Sequence, residues 1–235
     1  MLKYPKGSNP YRKLLAIKSQ GIPPFNPTKW IEKLHDGTIT TKQVKNAFKK
    51  CHSNYLTPTQ REFLIKFFNN KHLFGAQLVA AKLIDEGDGY CRTCQREGDG
   101  DEVTEYLRHT LLECPLVRDL RVQILIEFGL HNENIPTTPG SLILDILTPA
   151  DSSADLKSKV EFLNTIWSIT LSKLLEINSK RQIPMIDLMI VHIKSCLKRI
   201  LRLRPNSVVA LVIKHNSLEK LLSSGFSPHD PEEYF

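Results

Sequence analysis

No run of apolar residues in this 235-residue chain approaches the ~18 needed to cross a bilayer, so a membrane span is excluded. Strand-like alternation never persists for long, and no internal repeat or low-complexity tract recurs, which removes sheet folds and solenoids. Glycine and proline number only 11 and 14, too few for a collagen-like or linker-like chain. No Ser/His/Asp constellation and no phosphate-cradling glycine loop is present, so nothing here resembles a nucleophilic or nucleotide-transferring enzyme. Residues Met1–Ser19 are basic, broken by Pro5 and Pro10, and lack the apolar stretch of a secretory signal. The expected location is therefore intracellular, in nucleus or cytoplasm, rather than secreted.

Hydrophobic residues at 41% and charged residues at 24% suit a globular chain with a real core. The formal net charge of +7 is unevenly spread. Residues 1–82 hold 15 Lys/Arg against 3 Asp/Glu, a net +12, and the remainder carries −5. A basic N-terminal third on a near-neutral body is the electrostatic footprint of a polyanion binder, and nucleic acid is the commonest such partner. The competing reading is a set of solvated surface lysines.

Periodicity divides the chain. Residues 1–28 form a basic, partly extended arm with at most a short helix at Tyr11–Ser19, and 29–86 form an N-terminal helical segment. In that segment Thr40 or Thr41 can cap a helix carrying Val44 and Phe48. Thr57, Pro58 and Gln60 make a capping-box start, followed by core-facing Phe63, Leu64, Phe67 and Phe68. Leu73–Ile84 is a further expected helix, ended by Gly87 and Gly89, and 85–103 a loop rich in Gly and Asp. The segment 87–130 holds short helices at Thr104–Glu113 and Leu116–Leu130; 131–150 is a linker rich in Pro, Thr and Asn. The C-terminal subdomain, 151–224, carries helices over Asp151–Lys180, Pro184–Leu203 and Val208–Leu222, with 225–235 a tail. The fold class is mostly α, helical-bundle subdomains around a small metal knuckle.

Five cysteines stand at 51, 91, 94, 114 and 196. An odd number without a secretory signal argues against a disulfide framework and for a reducing compartment, where clustered cysteines usually mean metal. Cys91 and Cys94 form a C-x2-C pair; fourteen residues separate Cys94 from His109, and four separate His109 from Cys114. Two thiols at that spacing can bite one ion from a tight turn, and a His and a Cys from a later helix complete a tetrahedral Cys3His site. Thiolate and imidazole donors favour Zn2+ over calcium or magnesium. In a continuous α-helix, residues five apart diverge by ~140°, so His109 and Cys114 could not share an ion. Pro115 resolves this, because it disfavours the α conformation at Cys114 and lets that residue swing back. Four protein ligands leave no position for water, which makes the site structural. The competing reading is scattered buried cysteines and one surface histidine. Cys51 beside His52 reads as core plus surface, and Cys196 as a small packed hydrophobe.

The stretch Cys91–Pro115, CRTCQREGDGDEVTEYLRHTLLECP, resembles the zinc-binding (CCHC) segment downstream of the polymerase in non-LTR retrotransposon reverse transcriptases. Cys91, Cys94, His109, Leu111–Leu112, Cys114 and Pro115 carry the likeness, and Leu56–Leu203 is its loose extent. The family often has a Thr three residues before the His, where this chain has Tyr106. Family polymerases need paired aspartates, and some relatives carry a nuclease with a Pro-Asp pair; neither pair occurs here. The resemblance thus implies a counterpart of the C-terminal region without catalysis of its own. It also implies RNA before DNA as partner. On the scaffold reading below, the apolar surfaces of 160–203 would instead meet a reverse transcriptase polymerase region or a second copy, and no membrane partner is expected. An alternative is a fragment of an RNA-directed DNA polymerase polyprotein whose catalytic part is absent.

The residues expected to meet phosphate are Lys3, Lys6, Arg12, Lys13, Lys18, Lys42, Lys45, Lys49 and Lys50, with Arg92, Arg96 and Arg108 around the metal. Tyr4, Tyr11 and Trp30 could stack on unpaired bases or simply pack. A second stripe, Lys194, Lys198 and Arg202 with Arg199 and Arg204 beside it, is either a phosphate or acidic-partner surface or the solvated face of an amphipathic helix. A different class of reading is a zinc-stapled helical scaffold that binds protein.

Overall fold

A computed structural model describes residues 40–96, 109–129, 154–215 and 218–223. The N-terminal arm, the linker 131–150 and the tail lie outside these residues. Among the described residues the chain is helical and contains no strand.

Helix α1 spans Thr41–Cys51 and buries Val44 and Cys51, seven positions and two turns apart, while Lys42, Lys45 and Lys49 face solvent. Helix α2, Pro58–Phe68, starts on the expected capping box: Thr57 Oγ1 accepts from the Gln60 amide at 3.2 Å and Gln60 Oε1 from the Thr57 amide at 2.8 Å. Leu64, Phe67 and Phe68 are buried and Phe63 is half-buried against the same core. Phe48 meets Phe68 with ring centroids 5.5 Å apart, which joins α1 to α2.

The expected helix at 73–84 is shorter. Helix α3 covers only Gly75–Ala80, because Lys82 adopts φ 56° and closes a Schellman cap, with Leu83 N–H on the Leu78 carbonyl and Lys82 N–H on that of Val79. The expected loop at 85–103 begins with structure: a 3-10 turn at Glu86–Gly89 and a short helix α4 at Arg92–Arg96, with 97–103 outside the described residues. Gly89 packs so closely on α3 that a Cβ there would lie 2.6 Å from Val79 Cγ2.

A π turn, His109–Glu113, precedes helix α5, Pro115–Glu127. Leu120, Ile124 and Phe128 line the buried face of α5 as expected, and Gly129 ends it at φ 67°. Helix α6, Ala154–Ser179, is 26 residues and thus about 39 Å long. It is the central element, packed by α2, by helix α7 (Ile186–Leu203) and by helix α8 (Val208–His215). Its middle is enclosed nearly all round, so its buried hydroxyls bond backwards: Thr165 to the Glu161 carbonyl, Thr170 to that of Ile166 and Ser172 to that of Ile169. The single helix expected over 208–222 is described as two, α8 and α9 (Leu218–Ser223), both packed on one another and on α7. The buried residues form one continuous cluster from Val44 to Leu222.

Candidate metal centre

Three short elements converge on one point. Cys91 precedes α4 and Cys94 lies within it; His109 opens the π turn; Cys114 is the N-cap of α5. The ligand atoms of Cys91, Cys94, His109 and Cys114 all lie within 4.8 Å of one another, the span of one ion's coordination shell. Cys91 Sγ is 4.0 Å from Cys114 Sγ, twice a disulfide bond length, and Cys94 Sγ is 3.4 Å from His109 Nε2. All five cysteines are free thiols.

The backbone explains how residues five apart meet. Cys114 N–H bonds the His109 carbonyl at 2.9 Å, the i to i+5 bond of a π turn, which widens the coil and brings Cys114 back over His109. Cys114 itself sits at φ −56°, ψ 124°, the extended conformation that Pro115 imposes on the residue before it. The expected helix over 104–113 is therefore a π turn in its described part, with 104–108 outside the described residues.

Cys91, His109 and Cys114 are buried and Cys94 half-buried. The Cys114 thiol donates to Cys91 and holds it down, to about 3, helped by His109 and by the amides of Cys94 and Thr93. Cys114, which keeps the shared proton, is pushed up by that bond and by burial, against the Val117 amide that bonds its sulfur. Amides aimed at sulfur and helix starts beneath Cys91 and Cys114 are an environment for thiolates.

The end of α6 closes the site from the other side. Arg181 occupies the left-handed region at φ 54° and completes a Schellman cap, with its amide on Asn178 and that of Gln182 on Ile177. Its guanidinium donates to the Asp88 carbonyl, and its own carbonyl accepts from Arg92 Nη1 at 2.9 Å. Arg92 also pairs with the Asp88 carboxylate at 3.5 Å, an exposed bridge. A cavity of about 40 Å³, large enough for a water, separates Cys91 and Cys114 from Leu174, Asn178 and Pro184. Asn178 Oδ1 lies 2.9 Å from Nε2 of the buried His72.

The other expected contact residues scatter. Lys42, Lys45 and Lys49 are exposed on α1. Lys3, Lys6, Arg12, Lys13, Lys18 and Arg108 fall outside the described residues, as do the side chains of Lys50 and Arg96. Lys198 and Arg202 are exposed on α7, but Lys194 is a correction: it is 3% exposed and pairs with the equally buried Glu127 of α5. Successive steps of four turn by ~40°, so the row 194, 198, 202 runs obliquely, from the buried edge of α7 at Lys194 to its exposed side at Arg202. The signal was present, since Lys194 falls between Ile190 and Leu197 on the apolar stripe. Nothing in the sequence pattern points to Arg181 or Asp88 as supports of the site.

Among the described residues no helix is long and apolar enough to cross a membrane. No family model, no curated protein and no solved structure matches this chain.

Proposed function

We propose that Cys91, Cys94, His109 and Cys114 hold one zinc ion as a structural staple. The chain is then a non-catalytic nucleic-acid-binding module, acting on RNA before DNA, of the kind found in the C-terminal region of non-LTR retrotransposon reverse transcriptases. The zinc half is supported by metric fit. Zn–S of about 2.3 Å and Zn–N of about 2.0 Å give tetrahedral edges of about 3.8 Å between sulfurs and about 3.5 Å between sulfur and nitrogen. The observed 4.0 and 3.4 Å differ from these by little. Three thiolates and a neutral imidazole on a dication carry one net negative charge, which Arg181 beside Cys91 offsets. With all four positions protein-filled, zinc supplies cross-linking and no activated water.

The observation that carries the nucleic-acid half is the set of cations left without acids. Lys42, Lys45, Lys49, Lys198 and Arg202 reach solvent with no carboxylate partner among the described residues. Lys66 and Lys180, by contrast, pair with Glu62 and Glu176 on their own helices. An electrophoretic shift of RNA over a salt series tests the reading. Retention that declines steeply with salt is expected.

One observation favours a protein-binding scaffold instead: Met185, Leu188 and Val191 are exposed at the start of α7 on adjoining turns. That reading expects no salt-dependent retention of RNA or DNA.

A further inference from the structure

A groove of about 480 Å³ runs between the C-terminal half of α7 and the turn that enters α2. Thr57 forms one wall; His192 and Cys196 lie in the other, together with four further positions, Ser195, Lys198, Arg199 and Arg202. On α7 these four positions are spaced i, i+3, i+4 and i+7, the spacing of one helical face. Among the described residues no carboxylate lines the groove. Glu161, on α6, is held by the Tyr55 hydroxyl at 3.0 Å, and Glu176 by Lys173 and Lys180. Arg204 adds to the positive field near Tyr55.

The walls are also rigid. Arg199 Nη2 donates to the Tyr55 carbonyl at 2.6 Å, so its planar fork is held before any ligand arrives. Thr57 Oγ1 accepts from the Gln60 amide, which leaves the hydroxyl proton free to donate outward. The groove lies at the positive end of α2, an 11-residue helix, which adds to the cations. Lys198 and Arg202 stand one helical turn, about 6 Å, apart along the axis, so the site is longer than a single anion requires. Residues 52–57 lead into it directly from α1, which bears exposed Lys42, Lys45 and Lys49.

We infer that this groove seats two successive phosphates of a single-stranded RNA backbone, with Lys198 and Arg202 as the two point contacts and Arg199 as the fixed fork between them. The inference rests on the nucleic-acid reading above and gives it an address distant from the metal. The cysteine cluster meets the end of α6 and the turn after it around residues 174–184, whereas the groove's α7 wall begins at His192.

The test is fluorescence anisotropy of a labelled single-stranded RNA with the zinc-loaded full chain, comparing wild type with Lys198→Gln/Arg202→Gln. Both replaced residues are exposed, and thermal melting and zinc content establish that the variant is folded. Single-strand contacts contribute a slope of about 0.7 each in log K against log salt. Losing two therefore lowers the slope by about 1.4 and weakens binding about 25-fold at 0.1 M salt. Lys66→Gln, which removes a cation already paired with Glu62, leaves both quantities unchanged. Equal affinity and slope in wild type and the double variant overturn the groove while leaving RNA binding intact. No RNA binding by wild type overturns both readings. Polyglutamate bound by wild type in place of RNA, and lost in the double variant, assigns the groove to an acidic protein segment and overturns the inference.

Discussion

Chelation is the most incisive test of the proposed zinc staple, and its expected extent can be worked from where the four side chains sit. The four donors already span an ion's shell, so binding requires little rearrangement and its free energy goes into holding the fold. With free zinc at 1,000 times its Kd, the bound ion stabilises the chain by about 4 kcal/mol, and each tenfold fall in free zinc removes about 1.4 kcal/mol. The loss is local at first. Helix α4 has five residues and the π turn five, far too short to persist without the ion. The packing of α2, α7 and α8 on α6 contains no ligand. A chelator titration followed by hydrogen exchange is therefore expected to deprotect 91–96 and 109–118 well before 160–175. Melting temperature should fall in step with zinc release. Metal analysis should find one zinc per chain, lost in both Cys91→Ser and Cys114→Ser with part of the helical signal. A melting temperature indifferent to chelator, or a Cys114→Ser chain that keeps its zinc, would refute the reasoning.

Three further outcomes are expected. Glu127→Leu strands the buried Lys194 charge and should cost about 3–5 kcal/mol in denaturant unfolding, whereas Glu127→Leu/Lys194→Met should recover most of it. Burial holds His72 and His192 below the ordinary value of 6.5. The unfolded chain then binds more protons below that pH, so stability is complete above it and declines as pH falls; His72→Phe should flatten the decline in a pH series of urea melts. Lys82→Gly removes a side chain from the left-handed region at an exposed helix end and should raise stability by about 1 kcal/mol; an unchanged or lower midpoint would count against the assigned φ.

Helix positions were legible because apolar residues recur at helical spacing, and the Thr57 start because its cap chemistry is local. The convergence of Cys91, Cys94, His109 and Cys114 was legible from spacing, helped by the conformational demand of Pro115. What escaped is set by tertiary contact. The burial of Lys194 depends on Glu127, 67 positions away, and the support of the metal loop depends on Arg181, 93 positions from Asp88. The early end of α3 follows from Lys82 taking a backbone conformation usually left to glycine, which no propensity announces. The groove escaped because a helix face becomes a cleft only when a second wall, here Thr57, is set against it.

Helix α5 is moored at both ends by unlike forces: Cys114 in the cysteine–histidine cluster, and Glu127 on Lys194, about 20 Å along. A strut so fastened can neither slide nor rotate. Deleting one residue between these moorings would swing Glu127 by about 100° and take its carboxylate away from the buried Lys194 ammonium. The number of residues from 114 to 127 is therefore constrained as tightly as their identity, and insertions here should be the least forgiving in the chain.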